Sequence, residues 1–189
     1  MRYRALTPQN MTASCGPPGG TKLKLNTLKL VYGAMFITLI IITTRFLSIT
    51  LPTLRIGLGI IPIAVCGIFF GPVYTGTVAA LADLIGVTLW PSGPFFPGFT
   101  LSAFVTGYLL SLFLKGKGYS LRNIVTAVTL ITIIVHMGMN TLWLSMIRGV
   151  PFMVLFPVRF LNQVILSVVY VAAIAATQKY IIPRIRLKI

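Results

Sequence analysis

Six stretches of the chain are almost continuously apolar, and polar residues gather between them. They fall at 28–48, 56–70, 72–90, 99–115, 123–147 and 157–181. None alternates inward and outward positions, which argues against barrel strands. About 20 apolar residues, rising 1.5 Å each, cross a bilayer as a helix. In lipid the backbone must satisfy its own hydrogen bonds, so the runs are expected to be helices. The pattern predicts six transmembrane helices, the second of them short, with a tight turn at Gly71-Pro72 leading into the third. Residues 1–27 read as a disordered, polar and basic tail, 28–182 as the membrane domain and 183–189 as a short basic tail. No internal repeat is evident.

Composition sharpens this picture to an all-α integral membrane protein. The 189 residues are 57% hydrophobic and 9% charged, with a mean hydropathy of +0.96. Soluble domains carry about 25% charged residues, so lipid must be the solvent for most of this surface. The net charge of +15 would raise nucleic acid as a partner. Its cations stand at the ends of the apolar runs and form no basic face, so that class is set aside. Lys and Arg in those places orient membrane spans. With both termini inside, twelve of the 16 basic residues, from Arg2 to Lys188, lie on the inner side. Four, Arg45, Arg55, Arg148 and Arg159, lie on the outer side. The expected orientation is therefore N-in/C-in, with both ends cytoplasmic. Cys15 and Cys66 form neither a zinc motif nor a disulfide framework. Residues 1–27 contain no signal-peptide core, so the first span is expected to direct insertion.

The outer half carries the candidate chemistry. All four exceptions are Arg, whose planar fork binds carboxylates or phosphates bidentately. They suit either an anionic ligand or snorkelling to headgroups, with Arg55 and Arg159 favoured for a ligand because they begin spans. Asp83 is the single side-chain acid, about 10 Å below the outer end of the third span. It suits pairing with an Arg, accepting hydrogen bonds from a ligand, or carrying a proton. Asp83, Val87 and Trp90 share a helix face. His136, Asn140, Trp143 and Ile147 form a second stripe, and Arg159, Asn162, Gln163, Leu166 and Tyr170 a third. These stripes suit an enclosed site or ordinary interhelical hydrogen bonds. The loop Pro91-Ser92-Gly93-Pro94-Phe95-Phe96-Pro97-Gly98-Phe99 is stiffened by proline and made greasy by Phe95, Phe96 and Phe99. It reads as a lid or as an aromatic belt dipping into the membrane. One Asp and one His supply no catalytic pair and no metal site. Lys115-Gly116-Lys117-Gly118 lacks the spacing of a P-loop.

The block DLIGVTLWPSGPFFPGFTLSAFVTGYLL (83–110) resembles the signature region of the folate-family substrate-binding (S) components of energy-coupling factor (ECF) vitamin transporters. IPIAVCGIFFGP (61–72) and the six-run hydropathy agree, so the resemblance covers about 28–181. It implies an S-component bundle in the bacterial cell membrane that binds vitamin in its outer half. It implies partnership with a transmembrane coupling protein and two cytoplasmic ATPases, so that ATP is hydrolysed by other chains and this one is no enzyme. The nearest match to the family's small-xxx-small docking motif is Ala34-xxx-Thr38, with Gly33 adjacent. Folate is the expected ligand and no cofactor is expected in this chain. Asp83 would accept hydrogen bonds from the pterin edge and Asn140 would read its remaining atoms. Trp90, Trp143, Phe95, Phe96 and Phe99 would stack the rings, and Arg55 and Arg159 would meet the glutamate carboxylates. The alternatives are an S-component for another vitamin or heterocyclic anion, and a stand-alone proton-coupled carrier using Asp83 and His136.

Overall fold

The computed structural model describes residues 20–47, 49–50, 55–90, 96–116, 120–149 and 151–181. Helix α1 (Gly20–Arg45) leads into two short strands, β1 (Ile49–Thr50) and β2 (Arg55–Ile56). These pair antiparallel, Ile49 opposite Ile56 and Thr50 opposite Arg55. Next come α2 (Ile60–Phe69), α3 (Pro72–Leu89) and α4 (Pro97–Leu114). The next crossing is one continuous helical stretch of changing pitch: α5 (Leu121–Leu130), a π-helical segment π1 (Ile131–Met139) and α6 (Asn140–Arg148). Helix α7 (Phe152–Ala176) runs into a second π segment, π2 (Thr177–Ile181). Five of these stretches are long and apolar enough to cross a membrane, and α2 is a shorter apolar helix.

Each apolar run became a helix, with two departures. Residues 20–27, expected in the tail, already belong to α1. The run at 56–70 is helical only from Ile60, because Ile56 pairs in the strand ladder. Ten helical residues span about 15 Å, half the hydrocarbon core. The turn at Gly71-Pro72 is present: Gly71 adopts φ 106°, a conformation glycine reaches without a Cβ penalty, and Pro72 opens α3. The basic C-terminal residues 183–189 lie outside the described residues.

Small residues set how closely the helices approach. A Cβ at Gly107 of α4 would sit 2.7 Å from the Thr75 carbonyl of α3, so the two backbones nearly touch. The Ser111 hydroxyl donates to the Gly67 carbonyl at 2.7 Å and ties α4 to α2. Leu110, Leu114, Ile124, Val128, Ile131 and Ile174 fill the centre and are almost wholly buried. The outside is as apolar as the inside: Val31 and Met35 on α1, Val73 and Leu81 on α3, and Leu161 and Val168 on α7 are exposed. That inversion is stable only if hydrocarbon surrounds it.

Candidate functional site

At the end of the bundle bounded by the connections after α1, α3 and α6, the helices part around a two-lobed cavity. One lobe, of about 290 Å³, is lined by Ile40, Thr44 and Arg45 of α1, Ala79, Ala82 and Asp83 of α3, and by Gly57, Ile63, Ala103 and Tyr170. The other, of about 270 Å³, adds Phe99, Ser102 and Thr106 of α4 and Val135, His136 and Asn140 from the fifth crossing. Thr44, Gly57, Ile63, Asp83, Ala103 and Tyr170 belong to both, so the lobes meet at Asp83.

Asp83 stands where α3 and α4 form an antiparallel hairpin. Its Oδ2 accepts a hydrogen bond from the Thr100 hydroxyl at 3.1 Å. Arg45, at the last turn of α1, lines the same lobe. Its guanidinium lies over Gly86, where an added Cβ would come within 3.2 Å of Nε. A carboxylate and a guanidinium therefore face one compartment whose other walls are mostly apolar.

The opposite wall is built by π1. Widening the helix by one residue per turn keeps His136 and Asn140 adjacent while advancing the residues beyond them, and π segments concentrate at functional sites. Asn140 Nδ2 lies 3.4 Å from His136 Nδ1. The Asn140 Oδ1 is buried with no hydrogen-bond partner among the described residues. From α7, Arg159 donates Nη1 to the Asn140 backbone carbonyl at 3.3 Å. Arg159 thus braces the wall from behind and is absent from the cavity lining.

The aromatic residues divide. Phe99 lines the cavity. Phe96 stacks edge-on against it at 6.3 Å and lies tilted against Trp143 at 5.2 Å. Trp143 donates its indole N–H to Ser102 Oγ at 3.2 Å, which holds it one layer behind the lining. Trp90, at the C-terminus of α3, is 49% exposed and meets Phe46 edge-on at 5.6 Å. It is not among the residues that line either lobe. The Arg55 side chain and Phe95 lie outside the described residues.

The residues expected to dock a partner also divide. Gly33 is buried against Tyr74, whose hydroxyl an added Cβ would meet at 2.5 Å. Ala34 and Thr38 are on the outer face of α1, Ala34 exposed and Thr38 exposed beside it. Thr38 donates its hydroxyl back to the Ala34 carbonyl at 2.9 Å and so behaves as a small, nearly apolar residue.

Several groups at the site carry no signal that singles them out in the sequence: Thr44 and Ser102 in the cavity lining, and Thr100, which donates to Asp83. Arg45 and Tyr170 stand out there only as members of a charge pattern and a stripe. For the hydroxyls of α1 and α4 no periodicity separates cavity from core. Chemically, the site offers acceptors at Asp83 and Asn140, a cation at Arg45, and apolar walls at Ile40, Ile63, Phe99 and Tyr170. Among the described residues no group of three His, Cys, Asp or Glu comes together to hold a metal.

Residues 28–184 match the family model described as the ECF transporter substrate-specific component. The chain is 41% identical over 158 residues to the folate transporter FolT of Clostridium novyi, covering 84% of this chain and 91% of that protein. It is 31% identical over 124 residues to the folate transporter FolT of Leuconostoc mesenteroides, covering 65% and 66% of the two chains. Among solved structures it is similar to a crystal structure of FolT bound with folic acid. There the TM-score is 0.76 and the identity 28%, over 83% of this chain and 95% of that one.

Proposed function

Because the chain belongs to the family of ECF transporter substrate-specific components, we propose that it is the folate-binding membrane subunit of an ATP-driven vitamin importer. It is a multi-pass membrane protein and a transport subunit, not an enzyme. Its partners in this reading are a transmembrane coupling protein and two cytoplasmic ATPases, which hydrolyse the ATP. It sits in the bacterial cell membrane with both termini cytoplasmic, so that the cavity opens outward.

The observation that carries the reading is that Asp83 and Asn140 line one cavity, Asn140 keeping a buried side-chain oxygen without a hydrogen-bond partner among the described residues. A pterin presents an amino group and ring N–H groups, and two acceptor side chains in one cavity suit it. Phe99 supplies an aromatic surface inside the cavity, backed by Phe96 and Trp143, with Trp90 and Phe95 toward the rim. The glutamate tail of folate is dianionic. Arg45 lines the cavity and is the foremost partner for it. Arg55, just before Gly57, and Arg159, behind Asn140, come next. Gly33 packs inside the bundle, so Ala34 and Thr38 form the docking face.

Mass spectrometry of the small molecule that co-purifies with the protein in detergent, and then calorimetric titration, tests the ligand. Folate retained through purification and displaced only by other pterins supports the reading. A purified, folded protein that carries another heterocycle and ignores folate refutes it.

A further inference from the structure

We propose that His136 is a positioning residue for the ligand site, holding the Asn140 side chain by its Nδ2 end so that Oδ1 is kept as the acceptor end for a ligand. This rests on the folate reading and extends it to a residue that need not touch the ligand. A carboxamide has a donor end and an acceptor end, so fixing one end aims the other. Asn140 Nδ2 points at His136 Nδ1 from 3.4 Å. The acceptor end, Oδ1, is buried without a partner among the described residues. Both residues line the lobe that contains Asp83. A buried carbonyl oxygen left without a donor is destabilising, and on a residue that lines a cavity it suits a ligand's donor.

The backbone around Asn140 is already fixed. Its N–H bonds the Val135 carbonyl and its own carbonyl accepts from Arg159. What remains free is rotation of the amide, and His136 removes that freedom. The imidazole is itself backed by Tyr170, ring to ring at 6.4 Å. With Nδ1 accepting, the site offers acceptors from two walls and selects a heterocycle with donors on two edges. The opposite amide orientation would offer a donor at 140 and select a ligand with an acceptor there.

The test titrates folate into the purified full-length protein by calorimetry, wild type first. Failure of wild type to bind folate rejects the folate reading itself. If wild type binds, His136→Leu is expected to weaken folate about tenfold or more, the scale of one buried hydrogen bond. The double variant His136→Leu, Asn140→Leu should bind no more weakly than Asn140→Leu alone, because without the amide there is nothing to aim. His136→Gln, whose side-chain oxygen can accept from Nδ2, should recover most of the loss. Asn140→Asp, with acceptors only, should still bind folate. Wild-type affinity in His136→Leu, or losses that multiply in the double variant, overturns the inference. If His136→Leu does not fold, a folded Asn140→Asp or His136→Gln protein that has lost folate overturns it equally.

Discussion

Asp83→Asn is the substitution that most directly probes the site, and the structure sets its size. Asp83 Oδ2 already accepts from Thr100 at 3.1 Å, and a carboxylate has two acceptor oxygens. Asparagine keeps the volume but has one acceptor end. Thr100 is a hydroxyl and can donate to the new amide oxygen or accept from the new amide N–H, so it does not force either orientation. We predict that the variant folds and loses one charge-assisted hydrogen bond, about 1.5–3 kcal/mol, plus part of a second through weakened charge. A total of about 3–4 kcal/mol corresponds to a roughly 150- to 1,000-fold weaker Kd for folate. Calorimetry measures that loss, and a thermal melt in the same detergent measures the fold. A folded Asp83→Asn protein binding folate within about threefold of wild type would remove Asp83 as the anchor, on the same energy scale. A structural Asp83, held against Arg45 in the shared lobe, instead predicts a protein that is unstable before any ligand is added.

Arg45→Gln should weaken folate by about 1.5–3 kcal/mol and leave pteroate, which lacks the glutamate, nearly unchanged; equal losses for both ligands would show that Arg45 does not read the tail. Ala34→Trp should stop folate uptake by cells while the purified variant binds folate like wild type, and loss of binding with the fold intact would place Ala34 on the wrong face. Gly107→Val should destabilise the bundle by about 1–3 kcal/mol, because its Cβ would press on the Thr75 carbonyl; an unchanged melting temperature would show that α3 and α4 have room to part. Tags at either terminus should be inaccessible from outside intact cells, and labelling at one end from outside would reverse the proposed orientation.

The helices were legible because lipid imposes a simple rule: an apolar run without water becomes a helix. The rule failed only where its premise did. Ile56 opens an apolar run, yet it pairs with Ile49 as a strand, since backbone groups can also be satisfied by a ladder. The site was half legible. Asp83 and Asn140 stand out because a polar side chain in an apolar run needs a reason. Trp90 shares a helical face with Asp83 by spacing, but it meets Phe46 and is not among the residues that line either lobe. Gly33 and Ala34 are neighbours in sequence, and the helix turns one inward and the other outward. Hydroxyls such as Thr44 and Ser102 give no signal, since they bond backward to their own helix as hydroxyls away from the cavity also do.

The two functions proposed for the chain meet on α1. Its C-terminal end carries Thr44 and Arg45 into the cavity, while Ala34 and Thr38 are exposed on its outside. From Ala34 to Arg45 is eleven residues, about 16 Å along the axis. The inward face of that interval is fixed by Phe36 and Ile40, which are nearly fully buried. No side chain serves both faces, so a substitution at one need not perturb the other, and binding and docking separate cleanly by mutation. They share a backbone all the same. In the proposed reading, a ligand carboxylate held by Arg45 would tether the C-terminal end of α1, and β2 beyond it is followed by Gly57 in the cavity wall. Helix α1 would then be the direct physical connection between occupancy of the cavity and the proposed docking face.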